Sequence, residues 1–180
     1  NIIENLFKNI DDQVRFKVSE IFSKLGIFIS SNNNMDYGYV YDQIVSNGEL
    51  LSTIIIHNYL KNNGLKNSWL DSRICVKTDS YFRDSNLDWI ETEKQIKKYV
   101  DKNSITITQG FIASDSKKNT TTLGREGSDY TAAIFAYALN AKSVTIWKDV
   151  PGVLNGDPRI FRDLILLNKI SYREAIELAF

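Results

Sequence analysis

Apolar positions recur at helical spacing through the first part of the chain. Ile2, Ile3, Leu6, Phe7, Ile10, Val14, Phe16, Val18, Ile21 and Phe22 predict a helix over residues 2–25, broken near Asp11-Asp12 and stopped at Gly26. The polar stretch SSNNNMDYG, residues 30–38, predicts a loop. Leu50, Leu51, Ile54, Ile55 and Leu60 form the stripe of a second helix over about 47–63. Ser46 with Glu49 matches a capping box at its start, and Asn63-Gly64 ends it. The pattern then changes to alternation. Ile74 and Val76 predict a strand within residues 68–79, and Ile105 and Ile107 another within 104–114, ended or bent at Gly110. Val144 and Ile146 predict a short third strand over 142–147. Helices are expected over 88–100, with Asp88 and Glu91 at the cap, over about 128–139, and after the Ser171–Glu174 capping box. Residues 115–119 and 148–163 read as loops, the second punctuated by Pro151-Gly152 and Gly156-Asp157-Pro158.

Strands alternate with helices from residue 68 onward. That order predicts an α/β fold, a three-layer sandwich with a largely parallel sheet. The 180 residues fit one domain. Lys+Arg and Asp+Glu number 22 each, so no overall field favours nucleic acid or an anionic membrane. No stretch reaches the roughly 18–20 apolar residues of a membrane helix, and no cationic segment precedes an apolar one at the start. The single cysteine, Cys75, excludes an internal disulfide and fits a reducing, cytoplasmic location. With no His/Cys cluster, a structural zinc site is not expected. The chain starts without Met and ends within a helical pattern, so it is expected to be incomplete at both termini.

The chemistry concentrates in TTTLGREGSDYTAAIFAYAL, residues 120–139. Gly124 and Gly127 let backbone amides approach a ligand closely, at the start of a helix whose first N–H groups lack helical partners. Such an end attracts anions, and Arg125 adds a fork that matches a carboxylate or phosphate. Ser128 and three threonines supply hydroxyls, whereas Asp129 suits a ligand that also carries an ammonium group or a metal. A zwitterionic amino acid satisfies both signs. The same residues also read as plain helix punctuation: a Ser cap, an acidic first turn and a Gly-containing loop. A second cluster, WKDVPGVLNGDPR (147–159), follows a predicted strand, on the side where open α/β sheets bind ligands. Asp149, Asp157 and Arg159 could meet a nucleotide and its Mg²⁺, or could simply make turns. Glu49 is explained as the capping-box partner, His57 as structural, and Trp89 and Trp147 as packing. Neither the Walker A pattern nor the dinucleotide glycine pattern is present.

GFIASDSKKNTTTLGREGSDYTAA, VTIWKDVPGVLNGDPRI and ISYREAIELAF together closely resemble aspartate kinases, of the amino acid kinase superfamily. SNGELLS and SWLDSR fit the same family; the likeness is dense from about 104 to 180 and weak before 45. The resemblance implies transfer of the γ-phosphoryl group of ATP to the side-chain carboxylate of L-aspartate. The product would be 4-phospho-L-aspartate, on the way to lysine, threonine and methionine. It implies that Arg125 grips the substrate α-carboxylate, that Asp129 and Glu49 lie toward its ammonium end, and that Ser128 helps hold carboxylates. Lys148, Asp149, Leu154 and Arg159 fall where the family meets ATP, with Mg²⁺ as its companion. A homodimer is expected, since an unpaired strand edge invites association. The family's Lys-Phe-Gly-Gly-Thr-Ser motif and its later Phe-Gly-Ala-Lys region are not in these residues, so the segment is expected to be part of a catalytic domain and inactive alone. Lys148 stands where many members have Thr, and Leu154 where many have Tyr. A kinase acting on glutamate or a nucleotide, and a non-catalytic binding fragment, are the rival readings.

Overall fold

The computed structural model describes residues 12–31 and 36–179. The predicted helix over 2–11 and the core of the 30–38 loop therefore lie outside the described residues. The chain divides into a larger unit, up to Val144, and a smaller one from Thr145 onward.

The larger unit begins with two long helices packed on each other, α1 (Asp12–Ser31) and α2 (Tyr37–Asn62). α1 runs straight through Gly26. A helical glycine costs about 1 kcal/mol, which the burial of Val14 and Val18 offsets. α2 starts well before the expected position, where the Asp36 carboxylate accepts the Tyr39 N–H at 3.0 Å. Ser46 is thus buried in mid-helix, and its Oγ donates to the Gln43 carbonyl. The Ser46–Glu49 capping box does not form. The reason is that the face of α2 turned toward the strands carries Asp42, Ser46 and Thr53, all buried. Apolar periodicity stops there while the helix does not.

β1 (Asn67–Leu70) pairs in parallel with β2 (Ile105–Thr108), from Asn67↔Ile105 to Leu70↔Thr108. β3 (Ile112–Ser114) and β4 (Thr120–Thr122) form an antiparallel hairpin, and a parallel bridge joins Lys77 to Ser114. Two predicted strands are divided. Asp71 caps the short α3 (Ser72–Cys75) by accepting the Arg73 N–H, so Ile74 is helical. Gly110 and Phe111 separate β2 from β3. The segment 142–147 forms no strand; Val144 and Ile146 stay 49% and 43% exposed, with no ladder partner among the described residues.

α4 (Trp89–Tyr99), capped by Asp88 on the Glu91 N–H as expected, packs on α5 (Gly127–Leu139). Ile96, Ile134 and Ala138 from these helices meet Cys75, Val76, Ala113 and Leu123 in the core. Successive strand side chains alternate between faces. Ala113 therefore joins α4 and α5, while Ile112 shares the face of its partner Thr122, whose hydroxyl bonds α2. The strands lie between two helical layers, an α/β sandwich as the sequence predicts. His57 Nδ1 lies 2.6 Å from Asn67 Oδ1 and ties α2 to β1, a structural role. Trp89 meets Tyr130 and Tyr137 edge-on.

In the smaller unit, Leu154 and Leu166 form an antiparallel bridge. α6 (Tyr172–Ala179) opens with the predicted capping box: Glu174 accepts the Ser171 N–H at 2.8 Å, and Ser171 Oγ accepts the Glu174 N–H at 3.2 Å. Trp147 is 89% exposed, so the packing expected of it is not seen among the described residues. No helix among the described residues is long and apolar enough to cross a membrane.

Candidate functional site

The turn before α5 is held in place by an unusual backbone. Gly124 has φ +72°, a conformation that favours glycine, and a Cβ there would collide with Asp84 Oδ1. Glu126, at the helix cap, is left-handed at φ +55°, with no side-chain cap bond. Phe111 is left-handed too, at φ +69°, which is costly for a bulky residue and is stored where surroundings enforce it. Two bonds enforce it. The Phe111 N–H donates to Thr131 Oγ1 at 2.9 Å, and the Phe111 carbonyl accepts the Leu123 N–H at 2.9 Å. The helix start thus rests on the chain leaving β2. Arg125 and Ser128 are exposed at this end, and Arg125 has no partner among the described residues. Asp129, half-buried in the first turn, already engages a neighbour. The arrangement presents first-turn amides, a hydroxyl, an exposed guanidinium and a carboxylate on one turn.

Gly110 is where the helix start comes closest. A Cβ at Gly110 would lie 2.8 Å from Ser128 Cα, a backbone atom that cannot swing aside. Gly110→Ala is therefore expected to lift the first turn of α5 and cost about 1–3 kcal/mol. Urea unfolding with and without the substitution checks this.

Glu49 arrives from α2. Asp42, Ser46, Glu49 and Thr53 recur at helical spacing and share one face. Along it, Asp42 accepts the Thr122 N–H and hydroxyl at 2.9 and 2.8 Å, and Thr53 Oγ1 accepts from Gln109 Nε2 at 2.7 Å. Glu49 stands between these two anchors, which flank the chain carrying Gly110 and the turn at Gly124. It is half-buried and its carboxylate has no partner among the described residues. Burial alone pushes its carboxyl above the ordinary range. Freed of the capping role, it is a half-buried carboxyl whose side chain has no partner among the described residues.

The other expected residues lie in the smaller unit. Leu154 sits in the bridged hairpin, where the Leu167 N–H donates to the Val153 carbonyl at 2.8 Å. Arg159 grips Asp157 through Nε and Nη2, at 3.0 and 2.7 Å to the two carboxylate oxygens. This pulls the Asp157 carboxyl down to about 2. Lys148 and Asp149 are exposed, and Lys148 has an interaction partner. A cavity of about 450 Å³ between Val100, Thr108 and Leu139 holds none of the expected residues. Cys75 is buried, and its thiol is pushed up to about 11, so it offers no nucleophile. Among the described residues no group of three or more His, Cys, Asp or Glu could hold a metal ion.

A model of the amino acid kinase family matches residues 5–180. The chain belongs to the amino acid kinase family. It is 39% identical over 142 residues to lysine-sensitive aspartokinase 3 of Escherichia coli (strain K12), covering 77% of this chain and 31% of that protein. It is 38% identical over 142 residues to the chloroplastic bifunctional aspartokinase/homoserine dehydrogenase 2 of Zea mays, covering 77% and 16%. Among solved structures, E. coli aspartokinase III in complex with aspartate and ADP superposes with a TM-score of 0.89 at 32% identity, covering 98% of this chain and 40% of that one. The chain thus spans about a third or less of the length of these curated relatives.

Sequence reasoning missed two fully buried residues that anchor α2 beside the candidate site, Asp42 and Gln109. Asp42 had a usable signal, the polar stripe it shares with Ser46, Glu49 and Thr53. Gln109, alone between a strand and a glycine, had none.

Proposed function

We propose that this chain is part of the catalytic domain of an aspartate kinase, which transfers the γ-phosphoryl group of ATP to the side-chain carboxylate of L-aspartate. The observation that carries the reading is a pair of opposite charges on separate elements, each without a partner among the described residues: Arg125 at the amide end of α5, and the half-buried Glu49 on α2. An amino acid's carboxylate and ammonium groups complement that pair. The likeness to an aspartokinase solved with aspartate and ADP supports aspartate as the amino acid. The acceptor carboxylate has a reference pKa near 3.9 and is ionised at neutral pH, so no general base is required. The task is alignment and neutralisation of two anions, which amides and guanidinium groups perform.

Lys148, Asp149, Leu154 and Arg159 are proposed to meet ATP. The Arg159 pairing with Asp157 leaves Nη1 without a partner among the described residues and available to a phosphate. Mg²⁺ fits as a companion of the nucleotide: with most oxygens from phosphates it needs only one or two carboxylates, and Asp149 can supply one. When bound it neutralises phosphate charge. Cytoplasmic location and a homodimer complete the proposal; the edge of β2 away from β1 carries no strand among the described residues.

Calorimetric titration of this chain with L-aspartate and with L-glutamate tests the reading. Aspartate is expected to bind at least about tenfold more tightly, since a misfit of one methylene is worth about 1–3 kcal/mol; equal or absent binding of both contradicts it. The pH dependence is a second check. Glu49 must be ionised to hold an ammonium group, and its carboxyl titrates above the ordinary 4.5. Aspartate affinity is then complete above the Glu49 pKa and lost as pH falls through it, and Glu49→Gln removes that loss. For the empty fold the sign reverses: ionising Glu49 costs stability as pH rises through the same value.

A further inference from the structure

We infer that Gln109 is a positioning residue, whose buried carboxamide fixes the spacing between the Glu49 turn of α2 and the amide end of α5. The inference rests on the proposal that these two places receive the ammonium and carboxylate of one amino acid.

Gln109 is fully buried, in a place that an apolar side chain of similar length would fill without desolvating an amide. What the carboxamide adds is direction. Its Oε1 accepts the Ser72 N–H at 2.8 Å, and its Nε2 donates to Thr53 Oγ1 at 2.7 Å. Thr53 Oγ1 also accepts from Trp69 Nε1 at 3.1 Å and donates to the Glu49 carbonyl at 2.9 Å. A hydroxyl has one proton and two lone pairs, and all three are used. One unbroken series of hydrogen bonds therefore runs from Gln109 to the backbone of Glu49. On the other side the link is covalent. Gln109 precedes Gly110, which lies against Ser128, and Phe111, whose N–H is held by Thr131 of α5. Both halves of the receptor are thus referenced to a single side chain. Recognition of two charges on one small ligand is sensitive to displacements on the order of 1 Å, which cost about a hundredfold where geometry is decisive.

The test compares Gln109→Met, Thr53→Val, Thr53→Ser and the Gln109→Met/Thr53→Val pair with the unsubstituted chain. Aspartate affinity is read by calorimetry, and the Glu49 carboxyl titration by ¹³C NMR. Gln109→Met and Thr53→Val are each expected to weaken aspartate about tenfold. Thr53→Ser, which keeps the hydroxyl, restores affinity, and the double variant is no weaker than the weaker single. Single variants within twofold of the parent, or effects that simply multiply, overturn the inference. If Gln109→Met does not fold, the contrast between Thr53→Val and Thr53→Ser decides in the same way. If the unsubstituted chain binds no aspartate, the functional proposal fails and the coupling is judged on Glu49. A titration moved by Gln109→Met and Thr53→Val but not by Thr53→Ser supports it, and an unmoved one overturns it.

Discussion

Arg125→Ala, made in the protein that carries this segment, is expected to lower kcat/KM for aspartate about a hundredfold, while the KM for ATP stays within about twofold. The size follows from what the guanidinium contributes. Two parallel charge-assisted hydrogen bonds to a carboxylate, each worth about 1.5–3 kcal/mol, cannot be replaced by a methyl group or fully by water. The fold has no stake in the side chain, which is exposed and has no partner among the described residues, so unfolding midpoints should not move. Arg125→Lys should recover only part of the loss, because an ammonium is a point charge without the planar fork. Steady-state kinetics varying each substrate in turn, with thermal unfolding alongside, measures all of this. If aspartate phosphorylation survives Arg125→Ala intact, the turn at Gly124–Gly127 is helix punctuation after all.

Much of this site was legible because it is local. The glycines, the arginine and the helix start sit within a few residues, and the conformation at Gly124 is one that glycine favours; the left-handed Glu126 carries no such local signal. The capping boxes show the limit. Asp88 with Glu91 and Ser171 with Glu174 cap helices as read, but Ser46 with Glu49 carries the same spacing in mid-helix. A box is specified only where the preceding residues are not helical, and here Asp36 starts the helix earlier. Apolar periodicity could not reveal this, because the face of α2 meeting the strands makes its contacts by hydrogen bonds. The strand pattern of 142–147 marks a segment fit for pairing, but pairing needs a partner from elsewhere. Gln109 and Asp42 act across separations of 56 and 80 residues, beyond the reach of any local pattern.

Asp42→Ala is expected to be the most destabilising substitution of those considered, at about 3–4 kcal/mol. The carboxylate is fully buried and serves three donors at once. Oδ2 accepts the Arg83 and Thr122 N–H groups at 3.0 and 2.9 Å, and Oδ1 accepts the Thr122 hydroxyl at 2.8 Å. Alanine leaves all three without an acceptor, and each orphaned buried donor costs about 1–3 kcal/mol, reduced where water can enter. For a chain of this size the loss lowers the unfolding midpoint by about 10 °C. Asp42→Asn keeps one acceptor oxygen and sets an NH₂ against a donor, so it falls between the two. Amide hydrogen exchange gives the local signature: Thr122 and Arg83 should exchange faster than the rest of the core. The effect also reaches the site. Thr122 lies two residues before Gly124, and Arg83, its guanidinium over the Tyr37 and Tyr41 rings, precedes the Asp84 carboxylate that packs on Gly124. Loosening Asp42 therefore frees the turn that carries Arg125, and aspartate binding should weaken even where the variant remains folded. A variant that keeps its stability and its Thr122 exchange rate would mean that α2 and β4 are held together by packing, with the carboxylate incidental.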